Sequence, residues 1–235
     1  MRAEPSPAKV RCDGAIERDL RARGYRAIAG ADEVGRGSLF GSVYAAAVVL
    51  APDAPIRGLR DSKQLEPERR VTLAARIRER AAAWAVTAVD AAAIDRINIY
   101  QASRLAMKRA VEALRPAPDF VLVDAVFLEV SWPQRALIHG DARCQAIAAA
   151  SILAKVERDA CMQAWDAVYP EYGLARHKGY FVPEHMAALK RHGPSPLHRL
   201  SFEPVRTHSR FPVDWSEQME LFERAHVLEQ HATAG

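Results

Sequence analysis

No segment of this 235-residue chain reaches the roughly 18 consecutive apolar residues that a membrane-spanning helix needs. The N-terminus also lacks the apolar core of a signal peptide. Cysteine is scarce, and Cys12, Cys144 and Cys161 form no Cys-x-x-Cys pair. Their wide spacing and odd number argue against a disulfide framework or a zinc site and favour a reducing compartment. We therefore expect a cytoplasmic protein without a membrane partner.

The composition that remains is that of a globular protein. Hydrophobic residues make up 49% of the chain and charged residues 26%, which is typical of a soluble domain with a real core. One domain with an appendage and two small domains both fit the length. The net charge of +4 is compatible with a polyanionic partner but does not demonstrate one.

The most informative stretch is a pair of acids followed by a glycine turn. Residues 26–31 are mostly small and apolar and predict a buried strand, which leads into Asp32 and Glu33 and then into Gly35-Arg36-Gly37. A second apolar run at 43–50 predicts an antiparallel partner strand. Adjacent carboxylates at the end of a buried strand are costly unless they are paired, and Mg²⁺ or Mn²⁺ would pair them. A charged hairpin turn with glycines for tightness explains the stretch equally well.

Two further acids occupy similar positions. The apolar run Phe120–Val123 predicts a strand covered on both faces, and it ends in Asp124. Ligands bind beyond strand ends in open α/β sheets, although an ordinary aspartate that begins a turn is the simpler alternative. Asp141 precedes a predicted helix over residues 142–168, for which an N-cap role is a complete explanation. Together the four acids could hold two divalent cations roughly 3.5–4 Å apart for attack on a phosphodiester.

The segment from Arg176 to Arg210 is the most basic part of the chain. It has seven Lys or Arg residues against two acids, and it contains Tyr180. Basic residues interleaved with aromatic ones suit a nucleic-acid groove, in which Lys178 and Arg199 would contact phosphates. Lys63 lies in a separate loop, where contact with a phosphate and exposure to water are equally acceptable interpretations.

The expected organisation has three parts. Residues 1–12 are a disordered lead-in, 13–169 a catalytic domain, and 170–235 a basic helical segment that packs on that domain. Helices are predicted from Asp13 to near Gly24, from Pro67, over 99–114 with Asn98 as its cap, over 142–168, over 183–191, and from Asp214.

The order of several short motifs resembles the ribonuclease HII family, the type 2 ribonucleases H. The resemblance covers about residues 14 to 210, and Arg36 in the glycine turn is similar to type HII rather than to ribonuclease HIII. The matching motifs are Ile28-Ala-Gly-Ala-Asp-Glu-Val-Gly-Arg-Gly37, Asp61-Ser-Lys63, Asn98-Ile-Tyr-Gln-Ala-Ser103, Val121-Leu-Val-Asp124, Gly140-Asp141, Ala149-Ala-Ser-Ile-Leu-Ala-Lys-Val-Glu-Arg-Asp159, His177-Lys-Gly-Tyr180 and Gly193-Pro-Ser-Pro-Leu-His-Arg-Leu-Ser-Phe202.

The resemblance implies a fold and an activity. The fold is an α/β ribonuclease H-like mixed β-sheet flanked by helices, with a C-terminal helical segment. The activity is endonucleolytic cleavage at ribonucleotides in RNA/DNA hybrids and at single ribonucleotides in duplex DNA, leaving 3′-OH and 5′-phosphate ends. It would serve ribonucleotide and RNA primer removal, with Mn²⁺ or Mg²⁺ as cofactor. We expect a monomer, and a replication clamp stays open as a partner although no motif supports it.

The resemblance also implies residue roles. Asp32, Glu33, Asp124 and Asp141 match the metal-binding acids, the turn Gly35-Arg36-Gly37 matches the reader of the ribose 2′-hydroxyl, Tyr180 matches the tyrosine packed at that sugar, and Lys63 falls in a loop that meets the backbone. Three departures stand out: Ser42 for a frequent proline, Ala125 for a frequent glycine, and Phe181-Val182 after the tyrosine.

Two alternatives remain open from the sequence. The first is another two-metal nuclease of the same fold, such as a resolvase, which would cut substrates without any ribonucleotide. The second is a nucleic-acid-binding protein without activity, against which the four intact acids argue.

Overall fold

A computed structural model describes residues 12–209 of the chain. The predicted lead-in, apart from Cys12, and the helix predicted from Asp214 lie outside these residues. The described residues form two compact units. The first comprises residues 12–36, Val43–Ala88 and Ser103–Cys161, and the second comprises Gly37–Ser42, Val89–Ala102 and residues 162–209. The predicted three-part division stays a prediction.

A five-stranded mixed sheet forms the centre of the first unit, in the order β3-β2-β1-β4-β5. Strand β1 is antiparallel to β2 and parallel to β4, and β4 is parallel to β5. The predicted mixed α/β fold is therefore confirmed. The strands are β1 (Ile28–Val34), β2 (Val43–Leu50), β3 (Ala81–Val89), β4 (Phe120–Asp124) and β5 (Gln134–Leu137).

The predicted helices within residues 12–209 are present, with two exceptions in their bounds, and two short helices were not predicted. Pro67 occupies the first turn of its helix, where the missing amide proton costs nothing, as predicted. The eight helices of the described residues are α1 (Ala15–Ala22), α2 (Pro67–Arg80), α3 (Ala91–Glu112), α4 (Gly140–Arg143), α5 (Gln145–Val168), α6 (Leu174–His177), α7 (Pro183–His192) and α8 (Glu203–Arg206).

The first exception is the helix predicted over 99–114. Helix α3 begins earlier, at Ala91, and contains a kink at Asn98, whose φ of 64° and ψ of 163° are not helical. The Asn98 side chain accepts a hydrogen bond from the amide of Gln101 at 3.1 Å, so its predicted capping role is confirmed within a longer helix.

The second exception is the helix predicted over 142–168, which the structure divides in two. Cys144 has extended backbone angles and separates α4 from α5. The buried carboxylate of Glu17 accepts hydrogen bonds from the Cys144 thiol at 3.2 Å and from the Ala146 amide at 2.9 Å. A carboxylate on α1 therefore satisfies a free amide at the start of α5, which the local sequence could not indicate.

Apolar packing covers the sheet. One buried cluster joins Ala46 and Val48 of β2 to α2 and α5, and another joins Leu122 of β4 to α1 and the start of α5. A Cβ atom at Gly30 would lie only 2.2 Å from the backbone carbon of Ala146. Glycine at this position therefore allows α5 to pack directly on β1, next to the two acids of that strand. No helix within residues 12–209 has both the length and the apolar character to cross a membrane.

Candidate active site

Asp32 and Glu33 lie within β1, which continues to Val34. They pair with Ala46 and Ala45 of β2. Consecutive strand residues point to opposite faces, so the two carboxylates leave the strand in different directions. Asp32 is only 6% exposed, and its Oδ1 accepts a hydrogen bond from the Glu33 amide at 2.8 Å.

The electrostatic surroundings of these two acids favour their neutral forms. Burial raises the pKa of Asp32 well above its ordinary value, and the charges of Glu33 and Asp124 raise it further. Burial also raises the pKa of Glu33, although the Arg36 guanidinium, 3.4 Å from its carboxylate, acts in the opposite direction. Buried, mutually repelling carboxylates are the kind of group that a bound cation stabilises.

Asp124 is brought to Asp32 by strand pairing. The parallel register of Ala31 with Val123 places the acids that follow them on neighbouring strands. The Asp124 carboxylate accepts a hydrogen bond from the Gly140 amide at 2.7 Å, which connects it to the start of α4. A Cβ atom at Gly140 would lie 3.1 Å from Asp124 Oδ1 and 2.6 Å from Ile147 Cδ1, so a side chain there would crowd this contact.

Asp141 lies in the first turn of α4 and is buried. The N-cap position belongs to His139, which has a φ of 54°, and no side chain caps the helix. The predicted N-cap role of Asp141 is therefore wrong, because the chain enters α4 through a left-handed residue, His139, two positions earlier than expected. Burial and the charge of Asp61 raise the pKa of the Asp141 carboxyl.

Lys63 lies beside Asp141. It belongs to a 3-10 turn, Ser62–Gln64, capped by Asp61, whose Oδ1 accepts a hydrogen bond from the Lys63 amide at 2.9 Å. Lys63 Nζ lies 3.9 Å from Asp141 Oδ2 while its side chain is 84% exposed. Partial burial lowers the pKa of Lys63, but the charges of Asp141 and Asp61 outweigh it and raise that pKa overall. The ammonium is thus charged, accessible and adjacent to the acids.

Across residues 12–209, no three His, Cys, Asp or Glu side chains converge closely enough to form a ready-made metal site. Burial, and to a smaller extent repulsion between neighbouring carboxylates, raises the pKa values of Asp32, Glu33 and Asp141. The donors themselves are all carboxylates, which Mg²⁺ and Mn²⁺ prefer. The donor set therefore fits a hard divalent cation.

The glycine turn begins in the first unit. Gly35 is buried with a φ of 93°, and a Cβ atom there would lie 2.2 Å from Nε of the fully buried Arg158. Only glycine combines this positive φ with the absence of a Cβ atom that would collide with Arg158. Arg36, in contrast, is exposed.

The second unit contains Gly37 and Tyr180. Ser38 and Tyr180 form an isolated antiparallel bridge, and the Leu39 amide donates to the Gly179 carbonyl at 2.8 Å. A Cβ atom at Gly37 would be 3.9 Å from Tyr180 Cε1, which is an ordinary van der Waals distance. Tyr180 is half-buried and Gly37 exposed, so the ring edge and an open backbone lie side by side at the surface.

The predicted basic groove needs one correction. Arg199 is fully buried, and its Nε donates to the Gly41 carbonyl at 2.9 Å. Its predicted contact with a phosphate is therefore wrong, because the guanidinium holds the backbone instead. Lys178 is half-buried and donates to the Ala175 carbonyl.

The structure shows the environment of two residues that depart from the family pattern, Ala125 and Phe181. Ala125 adopts a left-handed φ of 54°, which explains why glycine suits the position after the third acid. Phe181 is 62% exposed, directly after Tyr180.

Sequence reasoning assigned no role to three residues around the acids, Ser151, Ser62 and Asp61. Ser151 forms a hydrogen bond with Asp32, which acts to lower the pKa of that carboxyl, and its hydroxyl lies 2.9 Å from that of Ser62. Asp61 faces Asp141. A serine within the alanine-rich start of α5 was the available signal for Ser151, but no local pattern indicates which strand it meets.

Comparison with known proteins gives a consistent result. The family model "Ribonuclease HII" matches residues 29–205. The chain is 67% identical over 225 residues to a ribonuclease HII from Solibacter usitatus, covering 96% of this chain and 99% of that protein. It is 53% identical to a ribonuclease HII from Koribacter versatilis, covering 84% and 78%. Among solved structures, the ribonuclease H2 from Pyrococcus horikoshii superposes with a TM-score of 0.65 at 26% identity, covering 78% of this chain and 97% of that one.

Proposed function

The chain belongs to the ribonuclease HII family, and we propose that it cleaves the phosphodiester at ribonucleotides, both in RNA/DNA hybrids and at single ribonucleotides embedded in duplex DNA. As a ribonuclease H it is an endonuclease that hydrolyses RNA phosphodiester bonds, acts on RNA/DNA hybrids and depends on a divalent metal. The products we propose are a 3′-OH and a 5′-phosphate. Such cleavage would start the removal of ribonucleotides and RNA primers from DNA.

The observation that carries this proposal is the buried Asp32 carboxylate beside Glu33 and Asp124 at the ends of parallel strands. With Asp141, these acids would hold two Mg²⁺ or Mn²⁺ ions, which when bound supply an activated water and stabilise the leaving oxygen. The protein holds Asp124 in place through the Gly140 amide and Asp32 through Ser151. Fixed ligands lower the reorganisation needed when charge develops on the phosphate.

Lys63 is proposed to bind a backbone phosphate next to the cleavage site. Its ammonium is 84% exposed and lies 3.9 Å from Asp141, so a phosphate oxygen could reach it from solvent. The charge of Lys63 would also offset part of the repulsion between the acids and the polyanion.

We propose that the glycine turn and Tyr180 recognise the 2′-hydroxyl of the ribose. A 2′-hydroxyl both donates and accepts a hydrogen bond, so its reader needs both kinds of partner. The open backbone at Gly37 and the phenol of Tyr180 supply them. A site built to bond a hydroxyl strongly rejects the analogue without it, because its own polar groups are then left unpaired.

A cleavage assay with three matched duplexes tests the proposal. The duplexes share one sequence and carry a single ribonucleotide, a full RNA strand, or DNA alone. With Mn²⁺ or Mg²⁺ we expect cleavage of the first two only. Cleavage of the DNA duplex would instead indicate another nuclease of this fold.

The first variant to test is Asp124→Asn. It should fold and bind the single-ribonucleotide duplex but lose turnover by orders of magnitude, because a metal ligand is removed. Asp53→Asn, which changes an exposed aspartate in the same unit, is the matched control and should leave turnover unchanged. Near-normal turnover of Asp124→Asn at saturating Mn²⁺ would refute the metal-ligand assignment.

A further inference from the structure

The short segment Gly37–Ser42 of the second unit is held between two flanking stretches of chain. On one side, the bridge between Ser38 and Tyr180 and the bond from the Leu39 amide to Gly179 attach it to the tyrosine stretch. On the other side, Phe40 forms a bridge with His198, and the Gly41 amide donates to the Leu197 carbonyl at 2.8 Å. The position of Gly37 relative to Tyr180 therefore depends on both flanks.

Two buried histidines connect these flanks to each other. His185 Nε2 lies 3.1 Å from His198 Nε2, and both side chains are essentially inaccessible to solvent. His185 Nδ1 lies 3.0 Å from the Tyr180 carbonyl oxygen. The chain of contacts thus runs from the backbone of Tyr180 through both imidazoles to the opposite flank.

The hydrogen-bond partners fix the proton on each imidazole. A carbonyl only accepts, so His185 Nδ1 carries a proton and donates it to Tyr180, which leaves Nε2 as an acceptor. At the other end the Ser195 amide donates to His198 Nδ1 at 2.9 Å, so the His198 proton lies on Nε2. His198 therefore donates to His185, and every bond in the chain has one donor and one acceptor.

Both imidazole rings are neutral at neutral pH. Burial lowers the pKa of His185 to about 4 and the pKa of His198 to about 3. A second proton on His185 would place two donors face to face across the 3.1 Å contact, and a second proton on His198 would face the Ser195 amide donor.

We infer that His185 and His198 are positioning residues for ribonucleotide recognition, which hold the Tyr180 stretch at a fixed distance from the glycine turn. This inference rests on the proposed reading of the sugar by Tyr180 and Gly37. The histidines do not touch the substrate in this arrangement. They act through the Tyr180 carbonyl, which belongs to a proposed sugar contact, and through the Phe40 bridge, which lies three residues from Gly37.

The size of the effect follows from the precision that recognition needs. A shift of about 1 Å in a positioning group can cost about 100-fold in rate. The substitution His185→Leu would remove both the donor to the Tyr180 carbonyl and the acceptor for the His198 proton. We therefore expect kcat/KM on the single-ribonucleotide duplex to fall by between about 10-fold and 100-fold.

A double-mutant cycle separates positioning from general structural support. If His185 acts through Tyr180, then His185→Leu should cost less than about threefold in a Tyr180→Ala background, because the group that it positions is already missing. His185→Asn should restore part of the loss, since its amide nitrogen can reach the Tyr180 carbonyl as Nδ1 does, while the bond from His198 stays broken. Inhibition by the all-DNA duplex should not change in any of these variants, because that duplex has no 2′-hydroxyl to be read.

The control is His192→Leu, which removes an exposed histidine from the same helix, α7, and should leave kcat/KM unchanged. If His185→Leu does not fold, the same double-mutant cycle is run with His198→Asn, which breaks only the bond between the histidines and keeps an acceptor for Ser195.

Two results would overturn the inference while the reading by Tyr180 stands. The first is that the losses of kcat/KM from His185→Leu and Tyr180→Ala multiply in the double mutant. The second is that His185→Asn and His185→Leu lose kcat/KM equally. If Tyr180→Ala alone cleaves the single-ribonucleotide duplex at the wild-type rate, the proposed reading of the sugar has failed, and the inference with it.

Discussion

Acidification should weaken the fold through the two buried histidines. In an unfolded chain each imidazole gains a proton near pH 6.5, whereas burial lowers the pKa of His185 to about 4 and that of His198 to about 3 in the folded protein. The unfolded state therefore binds more protons than the folded state between about pH 6.5 and pH 4. Stability contributed by these groups is complete above pH 6.5 and declines as the pH falls through that window.

The magnitude follows from the two shifts. Each pKa unit corresponds to about 1.4 kcal/mol, so lowering the pH from 8 to 5 should cost about 2 kcal/mol for each histidine and about 4 kcal/mol for the pair. This is a large part of the 5–15 kcal/mol that typically separates folded from unfolded domains.

The acids of the candidate site act with the opposite sign. Burial and mutual repulsion raise the pKa values of Asp32, Glu33 and Asp141, so the folded protein takes up protons on them more readily than the unfolded chain. Their contribution to stability therefore increases as the pH falls. The wild-type curve alone mixes the two effects, and a variant that retains the acids is needed to separate them.

The assay is urea denaturation of wild type and of the His185→Asn, His198→Asn double variant at several pH values from 8 to 5. Because asparagine does not titrate, the free energy of unfolding of the wild type should fall by about 4 kcal/mol more than that of the variant across this range. The comparison concerns the slopes, since the variant also loses hydrogen bonds at every pH. Parallel curves would show that the histidines titrate normally in the folded protein and would refute the reasoning.

Three further predictions concern the packing and the substrate. Gly30→Ala should lose about 3 kcal/mol or more of stability, roughly 10 °C in Tm, because its Cβ would lie 2.2 Å from the backbone of α5; a Tm within 2 °C of wild type, by calorimetry, would contradict that contact. Gly37→Ala should keep its Tm, since its Cβ has 3.9 Å of space to Tyr180, while kcat/KM on the single-ribonucleotide duplex falls; unchanged kinetics would remove Gly37 from the sugar site. Lys63→Gln should reduce the slope of log affinity against log salt by about 0.9 in binding titrations, and an unchanged slope would mean that Lys63 contacts no phosphate.

Strands β1, β2 and β4 are predictable from local apolar runs, whereas the mixed sheet was implied by the family resemblance and not by these runs. Three apolar runs each predict a strand from local residues alone. They are the run before Asp32, the run at 43–50 and the run before Asp124. Pro67 likewise fixed a helix start through its own geometry. The order of the motifs indicated the family and, through it, the acids.

The errors arose where a distant residue decides the local backbone. The sequence predicts Asp141 as a helix cap, but His139 takes the left-handed N-cap position. The chain bends again at Cys144, where Glu17 of α1 accepts a hydrogen bond from the Ala146 amide at the start of α5. The sequence predicts that Arg199 contacts a phosphate, because it lies in a basic segment interleaved with aromatic residues. The structure buries it against the Gly41 carbonyl, which is 158 residues away in sequence.

The sequence by itself determined the residue types of the site and the strands that carry Asp32, Glu33 and Asp124, since an apolar run consists of neighbouring residues. The tertiary structure alone decided which groups share an environment. The parallel register places Asp124 beside Asp32, and burial makes their charges costly. Folding also places His185 against His198 with a single allowed arrangement of protons. Hydrogen bonds and charge interactions act over a few ångströms in space, and separation along the chain does not encode that distance.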